Sequence, residues 1–84
     1  MNVSFECFMP KMELIKTKDG RKTFLKGFVN SSGFPVSILD FREGEPAVPF
    51  PKTPVTVFGE LSRKTWKDRV SYTVFVSDII PYGG

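Results

Sequence analysis

The chain of 84 residues contains no histidine and only one cysteine, Cys7. Without histidine the commonest general acid–base group is missing, and so is every Ser-His or Cys-His nucleophile pair. A single cysteine closes no disulfide within the chain, and with no imidazole beside it there is no ligand set for a tetrahedral zinc site. No apolar run approaches the roughly 20 residues a helix needs to cross a bilayer. The stretch Met1–Pro10 lacks the basic-then-apolar pattern of a leader. Neither G-x-x-x-x-G-K nor G-x-G-x-x-G occurs, so no phosphate-cradling loop is expected. No two carboxylates form a recognisable acid/base pair. These absences lead us to expect a soluble cytoplasmic protein with no catalytic residues, no cofactor, no metal and no small-molecule substrate, its lone thiol kept reduced.

The chain is also short. A domain of this size buries only roughly 60% of the surface its unfolded form exposes, and small domains often need a disulfide, a metal or a partner subunit. With the first two excluded, a homodimer is expected.

What is present is an uneven distribution of charge. The whole chain has 12 basic and 9 acidic residues, a net of +3. One window holds Lys16, Lys18, Arg21, Lys22 and Lys26 against Asp19. A second holds Arg63, Lys64, Lys67 and Arg69 against Asp68. The remainder is mildly acidic. Bases gathered in this way suit a polyanion partner, although solvated hairpin tips give the same pattern.

Seven prolines and seven glycines punctuate the sequence, and no helical periodicity is sustained. Short β-rich runs lie between them. In Asn2–Phe8, Val3, Phe5 and Cys7 alternate with polar neighbours, so one face is buried. Lys11–Lys18 ends at Asp19-Gly20, a strong hairpin signal, and Lys22–Asn30 follows. After a turn at Asn30–Gly33 comes Phe34–Phe41. Arg42–Lys52, with Pro46, Pro49 and Pro51, cannot be a central strand because proline donates no N–H. Thr53–Leu61, a polar tip at Ser62–Asp68 and a last strand, Arg69–Ile80, complete the chain. One domain over residues 1–84 is expected, all-β, a small five- to six-stranded antiparallel barrel of the oligonucleotide-binding (OB) type. An SH3-like barrel would share the pattern.

The third run carries the functional signal. Lys22, Phe24, Lys26 and Phe28 occupy one face, and Thr23, Leu25, Gly27 and Val29 the other. Lysines on a core face would be costly, so the first face should point outward. Exposed rings stack bases of any identity, and the neighbouring lysines neutralise phosphates. The alternative for Phe24 and Phe28 is packing in a dimer interface or a second core. Trp66, the single tryptophan, sits at the polar tip between Lys64 and Lys67, where it should meet a ligand or a partner. The expected nucleic-acid-binding set is therefore Lys16, Lys18, Arg21, Lys22, Phe24, Lys26, Phe28, Arg63, Lys64, Trp66, Lys67 and Arg69.

Three stretches together resemble a known family. They are Asp19-Gly20-Arg21-Lys22-Thr23-Phe24-Leu25-Lys26-Gly27-Phe28; Phe34-Pro35-Val36 followed by Glu43-Gly44-Glu45-Pro46-Ala47; and the closing Asp78-Ile79-Ile80-Pro81. In order and spacing they resemble the helix-destabilising, single-stranded-DNA-binding proteins of filamentous phages, the gene V type. The resemblance implies an OB-type barrel, a two-fold dimer and cooperative coating of phage single strands in the host cytoplasm during replication and packaging. It makes Phe24 the stacking residue of the binding loop, gives Lys16, Arg21 and Lys26 its basic character, and puts Trp66 in a hairpin that contacts DNA from the dyad side. The family's stacking tyrosine is absent, which leaves that role to Phe24 with Phe28.

Two readings compete with a single-stranded-DNA-binding dimer. One is a protein-interaction barrel whose aromatic surface grips an extended or proline-rich peptide. The other is an RNA-binding barrel, since stacking alone does not read the 2′-hydroxyl.

Overall fold

The computed structural model describes residues 1–31, 33–43 and 48–82. The chain forms six strands: β1 (Asn2–Phe8), β2 (Glu13–Lys16), β3 (Thr23–Ser31), β4 (Phe34–Asp40), β5 (Pro54–Trp66) and β6 (Arg69–Pro81). They make one sheet in the order β1-β5-β6-β4-β3-β2. No helix of the described residues is long and apolar enough to cross a membrane. The all-β class and the strand number are as expected. The sheet differs from the expected antiparallel barrel in two ways. It is not closed, since β1 and β2 are left as its two ends, and β4 runs parallel to β6.

The strand bounds follow the alternation of apolar residues closely in β1 and less closely elsewhere. β3 starts one residue later than expected, at Thr23, and β2 is confined to Glu13–Lys16. The largest difference lies in the last hairpin. The stretch expected as a polar tip, Ser62–Asp68, is strand as far as Trp66, and the turn is only Lys67-Asp68. Both turn residues have positive φ, 44° and 61°, the geometry of a two-residue type I′ turn, whose twist matches that of the flanking strands. The sequence has Lys-Asp there rather than Asn-Gly, so the turn left no composition signal. The proline loop forms no strand among its described residues, and its Gly44–Ala47 portion, like Ser32 of the β3–β4 turn, lies outside them.

Strand pairing divides the side chains between two faces, because directly opposed residues share a face and neighbours along a strand do not. On the inner face Met9, Ile38, Val55, Val57, Val74, Val76 and Ile79 are buried, with Phe5, Cys7, Met12 and Leu61 packed against them. Cys7 faces this core, and burial raises its thiol pKa. Close approach fixes Gly59, beside the irregularity in the β5–β6 register at Phe58/Gly59. A Cβ there would run into the carbonyl oxygen of Phe75 and reach Val74 Cγ1 at 2.7 Å.

Two features set the shape around the site. Asp40, at the end of β4, is buried and is held by Arg42: Nη2 donates to Oδ2 at 2.8 Å, Nε to Oδ1 at 3.0 Å and the Arg42 backbone N–H to Oδ1 at 3.0 Å. Arg42 Nη1 continues to Asp78 of β6 at 3.4 Å. The guanidinium pKa is raised, first by its hydrogen bond to Asp40. This clip fastens the end of β4 to β6. At the other end the open sheet leaves an apolar groove of about 450 Å³ between β1 and β4, lined by Val3, Phe5, Val36, Leu61 and Val74 and rimmed by Phe34.

Candidate nucleic-acid interface

The outer face is built in cross-strand rows. Lys26 of β3 lies opposite Leu39 of β4, Leu39 beside Phe75 of β6, and Phe75 opposite Glu60 of β5. The next row is Phe28, Ser37, Thr73 and Ser62. Beyond it lie Ser71 opposite Lys64 and, at the turn, Arg69 opposite Trp66. Phe24, at the start of β3, and Phe41, just past the end of β4, complete the face.

Three rings form a platform at one end. Phe24 is stacked on Phe41, with centroids 4.4 Å apart and planes 20° apart. Phe41 meets Phe75 at 6.3 Å. Offset rings at these distances attract beyond their simple burial. Phe24 is consequently half-buried rather than protruding, and the more open flanks of the platform belong to Phe41 and Phe75, 45% and 42% exposed. Phe28 stands further along β3, 59% exposed, with Lys26 Nζ 5.2 Å from its ring centre.

The second platform is the hairpin turn. Trp66 is 72% exposed, and Lys67 Nζ lies 5.6 Å from its ring centre. Lys64 and Arg69 flank it on the same face. No carboxylate pairs with these cations among the described residues, the ion pairs there being those of Arg42 and of the Met1 amino group. Their charge is therefore available to an anion.

The first basic window is divided between a loop and two faces. Thr17 N–H donates to the Lys22 carbonyl at 2.9 Å, and Gly20, at φ 70°, turns the chain between them. Asp19 accepts from the Thr17 hydroxyl at 2.5 Å and the Arg21 N–H at 3.0 Å, and these bonds lower its pKa, the Thr17 bond most. Lys18, Arg21 and Lys22 are exposed on this ordered loop. Lys16 is also exposed, but it is opposite Thr23, on the face away from Phe24. Arg63 is likewise opposite Tyr72 on the groove side, away from Trp66. Of the expected set, then, Phe24, Lys26, Phe28, Lys64, Trp66 and Arg69 share the outer face, Lys18, Arg21, Lys22 and Lys67 lie in the two turns, and Lys16 and Arg63 stand apart.

Two residues of the platform were not anticipated. Phe75 was legible, because it alternates with the core residues Val74 and Val76. Phe41 was not: it lies just beyond β4, and its partner ring comes from the far side of a turn.

No described group of three or more His, Cys, Asp or Glu side chains is arranged to hold a metal ion. No known protein family, curated protein or solved structure matches the chain.

Proposed function

We propose that the protein binds single-stranded nucleic acid, DNA in the first place, without sequence preference, and does so as a homodimer without catalysing a reaction. One observation carries the reading: solvent-accessible rings and cations that no described carboxylate pairs occupy the same face of one sheet. Rings stack any base for about 1–3 kcal/mol each, and the cations neutralise phosphates and release counterions. A protein of this kind holds single strands open, as the helix-destabilising proteins of filamentous phages do in replication and packaging, and the resemblance of the binding loop supports that role in the cytoplasm of an infected host.

Two features support self-association. The inner face is open at an apolar groove, and Phe34 on its rim is 62% exposed. A second copy seated there would remove this surface from water. The same groove, beside the free edge of β1, favours an extended apolar peptide as a second reading.

Gel-shift titration with single- and double-stranded oligomers at two salt concentrations, with light scattering for mass, tests the proposal. Single strands should bind more tightly than duplex, with affinity falling steeply with salt, to a protein of twice the chain mass. Salt-insensitive peptide binding with no DNA affinity would replace this reading with the second. Competition between DNA and RNA of equal length separates those two ligands.

A further inference from the structure

The two platforms lie on one continuous surface. Along the outer face of β6 the residues from one to the other are Phe75, Thr73, Ser71 and Arg69, and along β5 they are Glu60, Ser62, Lys64 and Trp66. Ser37 of β4 lies beside Thr73. Between the rings, therefore, the face offers small hydroxyl side chains and one lysine. Nothing bulky interrupts it, and hydroxyls are common partners of phosphate and sugar oxygens. Phe75 and Arg69 are six residues apart on β6, about 20 Å at the rise of a β-strand. That length holds about six stacked nucleotides at roughly 3.4 Å each, within the site sizes of OB-type proteins.

Resting on the nucleic-acid reading above, we infer that a single strand lies along β5 and β6 of one protomer. It stacks on Phe41 and Phe75 at one end and on Trp66 at the other, and its backbone passes over Ser62, Ser71 and Thr73. Phe41 and Phe75 are thereby stacking residues, and Phe24 is a positioning residue that supports Phe41 from behind. Glu60 closes the row beyond Phe75. Its carboxylate is paired with the Met1 amino group at 3.6 Å, so this end of the row offers a phosphate no free cation, and the strand turns toward Lys26 and Phe28 rather than toward β1.

The test uses thymidine oligomers of three and eight nucleotides with the full chain, read by Trp66 fluorescence and by affinity. The eight-nucleotide oligomer should bind with one copy per protomer, at least tenfold more tightly than the trinucleotide, and quench Trp66. Phe41→Leu and Phe75→Leu keep apolar bulk but remove the flat ring. Each should weaken the eight-nucleotide complex about 5- to 50-fold while leaving quenching of Trp66 by the trinucleotide unchanged. Thermal melting identifies any variant that has lost its fold, and Thr73→Val supplies an independent probe of the track, with a weakening of a few-fold expected. If both leucine variants and Thr73→Val bind the longer oligomer within twofold of the parent while Trp66→Ala does not, the path is wrong and the nucleic-acid reading stands. If no oligomer binds the parent protein, the proposed function itself is overturned.

Discussion

Phe24 lies flat on Phe41, 4.4 Å between ring centres, and this contact joins the beginning of β3 to the residue that follows β4. It also explains why a ring on an outward-facing strand is half-buried. A double-mutant cycle on Phe24→Ala and Phe41→Ala should give a coupling of about 0.5–1.5 kcal/mol in unfolding free energy. Additive effects in urea titrations would mean that the rings do not stack in solution.

Asp40 and Arg42 sit on either side of Phe41, and their bonds set where that ring stands. Removing one partner of a buried ion pair leaves an uncompensated charge, at a cost of about 3–5 kcal/mol. Arg42→Ala should therefore destabilise strongly, by chemical denaturation, because the carboxylate of Asp40 stays buried. The double variant Asp40→Leu/Arg42→Met, which removes both charges, should recover much of that loss.

Trp66 is 72% exposed at the hairpin turn, on the face opposite the core, so Trp66→Ala should leave the melting temperature almost unchanged. It should weaken single-strand binding by about 1–3 kcal/mol. Trp66→Phe, which keeps a flat ring, should retain most of the affinity. A large fall in melting temperature would assign Trp66 a structural role instead.

The cations contribute through counterion release, which on single strands gives a slope of about −0.7 in log affinity against log salt for each phosphate neutralised. Substituting Lys64 or Arg69 by alanine should each reduce the measured slope by about that amount. Lys16→Ala and Arg63→Ala, on the opposite face, should change it little.

Asp19 orders the loop that carries Lys18, Arg21 and Lys22. Its pKa is lowered in the folded chain by bonds from Thr17 and Arg21, so the contribution of these bonds is present above the ordinary carboxylate range. It is lost as the pH falls through the lowered value. Amide exchange at Arg21, taken relative to its intrinsic rate at each pH, should accelerate over that acidic interval and stay slow above it. Thr17→Val, which removes the main hydrogen bond, should shift the acceleration to higher pH.

Gly59 gives a purely steric test of the sheet. Gly59→Ala drives a methyl group against the backbone of Phe75, and overpacking of this kind costs about 1–3 kcal/mol. A neutral substitution in a urea titration would show that β6 yields at this point.

Much of the molecule was readable residue by residue. Alternation in Asn2–Phe8 defined β1 because its side chains meet one core on one side only, and Asp19-Gly20 announced its turn because glycine accepts positive φ. Phe28 and Trp66 stood out as exposed because lysine neighbours forbid a core. The Lys67-Asp68 turn is hidden, since neither residue signals positive φ, and β5 runs past the expected Leu61 as far as Trp66.

Local sequence decided that this chain is of the all-β class, that it turns at Asp19-Gly20, and which residues carry charge and rings, because these follow from backbone sterics and from the cost of burying an ammonium group. Only the tertiary structure decided that β4 lies parallel to β6 and that the sheet stays open. The same long-range register gathers Phe24, Phe41 and Phe75 into one platform and turns Lys16 and Arg63 away from it. A one-residue slip between strands would reverse every face, and no stretch of sequence read alone contains its partner's register.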